Sequence, residues 1–118
     1  MLLEKKIPKV FIAAIVLSVA AGLFHLVGLF YNVNDAPMWR HGLFVVINFL
    51  CAFLFIKRPG FFVYLYTLFA VQQYYTHGKK LLEGFSEPKN IWLDFFVLLF
   101  VAIFLVNLML EKRGKSAT

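Results

Sequence analysis

A chain of 118 residues that is 62% hydrophobic and only 15% charged lies far from the roughly 45–50% apolar and 25% charged make-up of soluble globular domains. With a mean hydropathy of +0.80 it reads as an integral membrane protein, with room for four crossings of about 20 residues and for no soluble domain of useful size. The net charge of +6 carries no nucleic-acid footprint, because the basic residues stand in short groups beside apolar runs, as membrane topology requires.

The N-terminus opens with a basic cap, Lys5, Lys6 and Lys9, around Pro8, a residue tolerated in the first helical turn. The apolar run behind it exceeds the about 7–15 residues of a signal-peptide core and ends in no small-x-small cleavage site, so it is read as a retained helix. That helix, Val10 to Tyr31, is long enough to cross a bilayer and carries His25 inside it. An ionisable side chain facing lipid costs about 2.5 kcal/mol or more, so His25 is expected to face a helix interior or a cavity. Ala14, Ser18, Ala21, Gly22 and Gly28 recur at helical spacings on the same face and let another backbone come close.

Turn formers fill Asn32 to Pro37 and lead to an interfacial Trp39. Helix 2 is expected over 39–56, with Asn48 as its strongly polar interior residue and Arg40 and Lys57 as snorkelling ends. Cys51, the single cysteine, lies inside it and excludes an intrachain disulfide and a CxxC motif. A basic turn, Lys57 to Gly60, precedes helix 3 over 61–77, which becomes polar and tyrosine-rich toward its end. The stretch 78–90 mixes Lys79, Lys80, Glu83, Glu87 and Lys89 with Leu81, Leu82 and Phe85 and is read as a short amphipathic turn at the interface. Helix 4 is expected over 91–110, opening with Trp92 and Asp94, before a polar tail. No internal repeat, heptad or low-complexity tract stands out, and a single transmembrane domain, an all-α four-helix bundle, is the expected architecture.

Four crossings would put Lys5, Lys6, Lys9, Lys57, Arg58, Lys112, Arg113 and Lys115 on one side and Arg40, Lys79, Lys80 and Lys89 on the other. Eight basic residues against four favour both termini in the cytoplasm, in what reads as a bacterial inner membrane. At about 1.5 Å per residue, His25 and Asn48 fall at a similar depth, roughly 9–10 Å below the outer ends of their helices, with His41 and His77 about 9 Å higher. His41 and Asn48 share one stripe; Tyr66, Ala70, Gln73 and His77 share another. Turned inward, these stripes predict a polar outer-leaflet pocket around His25, built from Asn48, Gln73, His77, His41, Asp94 and Tyr74 and capped by the 32–40 and 78–90 loops.

Within that pocket, a hydrogen-bonded pair of His25 and Asn48 that fixes helix packing is the expected reading, with a ligand contact as the alternative. His41 and His77 are expected at the water boundary, structural or solvated. His25, His41, His77 and Asp94 offer donors suited to zinc, copper or iron, but no HxxxH or HxxH pair stands on one helix. Bis-histidine haem ligation is strained by the difference in depth. A quinone or lipid headgroup needs only hydrogen-bond partners such as His25, Asn48, Gln73 and tyrosine hydroxyls. Enzyme motifs are missing: no GxSxG, P-loop or paired intramembrane carboxylates occur, and Ser18 lies two turns from His25, beyond proton-transfer reach.

In length and helix number the chain is similar to the small multidrug resistance exporters, which carry a glutamate in helix 1 where this chain has only His25. The reading that follows is an accessory or structural subunit docking against a larger membrane protein. A quinone-, haem- or metal-binding redox module and a self-associating transporter are the alternatives.

Overall fold

The computed structural model describes residues 7–31, 37–86 and 91–117. Lys5, Lys6, the turn at Asn32 to Ala36, and Glu87 and Lys89 lie outside the described residues. All regular structure among the described residues is helical: α1 Lys9–Phe30, α2 Met38–Lys57, α3 Phe62–Ser86 and α4 Trp92–Ala117. They form two compact units, residues 1–58 and 59–118, each a hairpin of two helices.

Proline sets the starts. Pro8 and Pro37 precede α1 and α2 in extended backbone, and their carbonyls accept the first helical bonds, from Phe11 and Ile12 at 2.9 and 3.1 Å and from Arg40 and His41 at 3.0 and 3.4 Å. α1 stops where Tyr31 turns extended. α2 stops at Arg58, whose backbone adopts the left-handed conformation (φ 46°) that glycine usually supplies, and Pro59 then forbids continuation. The Arg58 side chain compensates: its guanidinium donates to the carbonyls of Phe55 and Ile56 at 2.9 and 3.3 Å and lies 5.0 Å from the centre of the Phe11 ring. The Pro59 carbonyl in turn accepts from Phe62 as α3 begins.

In the first hairpin the helices run antiparallel, Phe11 stacking on Phe55 at one end and His25 meeting His41 at the other. The small face of α1 admits α2 as expected: Ala14, Gly22 and Gly28 are buried, and a Cβ on Gly22 would stand 3.0 Å from the Phe49 ring. The buried residues His41, Phe44, Asn48, Cys51 and Phe55 of α2, with Arg58 at its C-cap, alternate spacings of three and four as in a coiled-coil seam. That heptad is not legible in the sequence, because the seam mixes polar, aromatic and small side chains.

In the second hairpin α3 accompanies α4 along its length, also antiparallel. Lys112 at one end bonds the Gly60 carbonyl at 3.3 Å and the Tyr64 hydroxyl at 2.8 Å, with its ammonium 4.0 Å from the Tyr64 ring centre. At the other end His77 meets Asp94, and Gly84 lies against Ile91. α3 does not stop at His77, and residues 78–86 extend the same helix where the sequence suggests an amphipathic turn. Lys79, Lys80, Leu81, Leu82 and Glu83 are good helix formers, and neither Gly78 nor Gly84 is enough to break a helix paired with a neighbour. α4 likewise runs on past Leu110.

Among the described residues, three helices are long and apolar enough to cross a membrane: α1, α2 and Trp92–Gly114 of α4. The sequence reading counts four. α3 falls short in apolarity because Gln72, Gln73, Thr76, His77, Lys79, Lys80 and Glu83 occupy its second half, although its 25 residues match the length of its partner.

Candidate functional site

Two interhelical polar pairs stand out, one in each hairpin. In the first, His25 Nδ1 and His41 Nδ1 are 3.0 Å apart, a hydrogen bond in which one ring donates its N–H to the lone pair of the other. His41 comes from the first turns of α2 and is 1% exposed. Its ring rests on Gly28, where a Cβ would come within 2.6 Å of Nδ1, so only glycine leaves room for it. His25 stacks on Phe44 with ring centres 5.2 Å apart and meets Phe24 edge-on at 5.3 Å. Each imidazole is thus fixed by packing as well as by the shared bond.

This arrangement replaces the expected pair of His25 with Asn48. Asn48 is buried, but its amide donates at 2.8 Å to the Phe44 carbonyl one turn back on its own helix. Antiparallel packing explains the difference, since the hairpin sets the sixth residue from the end of α1 against the fourth of α2, and long imidazole side chains close the remaining gap. Depth counted from helix ends misses both effects. His41 is accordingly an interior residue and not a solvated one.

In the second hairpin His77 Nδ1 donates to Asp94 Oδ1 at 2.6 Å, a short charge-assisted bond with both side chains mostly shielded. Asp94 stands in the first turn of α4, where the helix dipole favours a carboxylate. The bond leaves Nε2 of a neutral His77 as the ring nitrogen with a free lone pair. One turn earlier, buried Gln73 donates to Gln72 at 2.6 Å, which donates to Thr76 at 3.0 Å. Tyr74 bonds the Leu98 carbonyl across the hairpin at 2.9 Å.

The seven sequence-predicted residues therefore divide. His25, His41 and Asn48 lie in the first hairpin, Gln73, Tyr74, His77 and Asp94 in the second, and the bonds His25–His41 and His77–Asp94 each join the two helices of one hairpin. The four donors considered for a metal do not gather: among the described residues, no group of three or more His, Cys, Asp or Glu side chains comes together. Two axial imidazoles on one haem iron stand on opposite faces of the macrocycle at about 2 Å each, so nitrogens in direct contact do not match that geometry.

The hairpins share a plan. Each second helix opens with an exposed tryptophan, Trp39 or Trp92, and the residue two positions on, His41 or Asp94, bonds a histidine of the first helix. Sequence reasoning also missed Gly28 as the seat of His41 and Arg58 as a left-handed cap. The first had a signal in the small-residue face; the second had one in a helix end before proline that lacks a glycine. Compared with protein-family models, curated proteins and solved structures, the chain matches none of them.

Proposed function

We propose that this chain is a small polytopic membrane protein acting as an accessory or structural subunit of a larger membrane complex, with a polar outer-leaflet site around His25. The observation that supports it is the distribution of large apolar side chains. Val16, Leu23, Phe30, Val46, Phe53, Leu68, Leu93 and Val106 are exposed on several sides of the helices. Lipid covers such faces at no cost, and helices of a partner cover them equally well, because association in a bilayer depends on packing more than on burial from water. Asn48 and Tyr74 meanwhile bond inside their own hairpin. In this reading both termini and the 57–60 turn face the cytoplasm, and the two hairpins together form a single transmembrane domain in a bacterial inner membrane.

Native mass spectrometry of the protein extracted in mild detergent tests this. A stoichiometric complex with a larger membrane chain is the expected result. A free monomer would overturn the subunit reading, and a homodimer alone would move the assignment to a self-associating transporter.

The His25–His41 contact favours a second reading, a module holding a ligand such as a metal ion or a quinone. A chromophore or metal that copurifies with the protein and is lost in His25→Phe would establish it.

A further inference from the structure

We propose that His25 and His41 form a two-imidazole site for one borderline-soft divalent cation of the zinc or copper type, held between α1 and α2. The proposal rests on the reading that this pair holds a ligand and does not depend on whether the chain docks against a larger protein. Two imidazole nitrogens bound to one such cation at about 2.0–2.1 Å stand roughly 2.9–3.4 Å apart for angles between about 90° and 110° at the metal. The two Nδ1 atoms stand 3.0 Å apart, within that range, so a cation takes the place of the shared bond once the rings turn to aim both lone pairs at it, the donor ring then carrying its proton on Nε2.

The rings are also preorganised. His41 is seated on Gly28 and His25 is stacked on Phe44, so neither pays the ordering cost that a flexible surface histidine would. Imidazole selects the cation class: it suits zinc, copper and nickel and not the hard magnesium or calcium ions. The remaining coordination positions fall to water. Arg40, whose guanidinium shares the Phe44 ring with His25 at 5.5 Å, places a positive charge beside the site and weakens its affinity.

The test is equilibrium dialysis of the full-length protein, free of any histidine tag and stripped with EDTA in mild detergent, against copper(II) and zinc(II) chloride. Electron paramagnetic resonance of the copper form is recorded in parallel. The expected result is one cation per chain, a copper signal split by two nitrogens, affinity lowered at least about tenfold in His25→Phe, and no change in His77→Phe. Arg40→Gln should bind more tightly. His25→Phe keeps an aromatic ring for Phe44 to stack on, and its circular dichroism checks the fold. Should that variant misfold, the nitrogen count in the wild-type spectrum still decides. A wild-type protein that binds neither cation, a copper signal without two nitrogens, or equal affinity in a folded His25→Phe overturns the proposal. If a copurifying chromophore is nevertheless lost in His25→Phe, the broader ligand-holding reading survives that failure; if nothing is lost, both fall.

Discussion

Replacing Gly28 with alanine puts a methyl group where the imidazole of His41 lies. The new Cβ would stand 2.6 Å from Nδ1, 2.7 Å from Cε1 and 2.9 Å from Cγ, closer than side-chain carbons come to other atoms, so the ring has to shift. Retreat breaks the bond to His25, a loss of about 1 kcal/mol, and disturbs a packed interior at about 1–3 kcal/mol. Alanine returns about 0.5–1 kcal/mol over glycine in a helix. The balance is a destabilisation of about 1–3 kcal/mol. Gly42 supplies the control, since a Cβ there meets only Leu29 at 3.7 Å, an ordinary contact, so Gly42→Ala should be neutral or stabilising by up to about 1 kcal/mol. Unfolding of detergent-solubilised protein by increasing fractions of sodium dodecyl sulfate, followed by circular dichroism, ranks the three proteins. Equal midpoints for Gly28→Ala and Gly42→Ala would refute the placement of His41 on Gly28.

Three further outcomes follow from the geometry. In a double-mutant cycle, His25→Ala and His41→Ala should couple by about 0.5–1.5 kcal/mol, whereas His25→Ala and Asn48→Ala should add within about 0.5 kcal/mol, because Asn48 bonds its own helix. Arg58→Gly relieves about 1–2 kcal/mol of left-handed backbone cost but removes guanidinium bonds to two carbonyls, together about 1.5–3 kcal/mol, while Arg58→Ala loses the bonds and keeps the cost. The expected order of stability in the same unfolding assay is therefore wild type, Arg58→Gly, Arg58→Ala. With Cys51 changed to alanine, Lys57→Cys and Trp39→Cys should be labelled by a membrane-impermeant maleimide from opposite faces of sealed vesicles; labelling from one face would overturn the proposed topology.

Helix count and helix starts were legible in the sequence because long apolar runs leave few alternatives and because Pro8, Pro37 and Pro59 punctuate them. The close packing of α1 was legible too, since small residues repeat on one face. The end of α3 was not. Its polar residues read as a surface turn when taken alone, yet pairing with α4 holds them in a helix to Ser86.

The polar pairs show the same division. The sequence picks out His25, His41, Asn48, Gln73, Tyr74, His77 and Asp94 as polar side chains that need a hydrogen-bond partner, because an apolar chain offers them so few. Which of them meet was decided by the antiparallel register of each hairpin and by side-chain reach. Register puts His41 opposite His25, and the glycine at position 28 leaves the space for the ring. Asn48 could satisfy itself on the Phe44 carbonyl, a bond that a helical residue finds without any partner helix, so its polarity did not predict an interhelical contact. Sequence specifies which groups need a hydrogen bond, but only tertiary packing specifies with whom, because several partners satisfy the same need and the register of the hairpin selects among them.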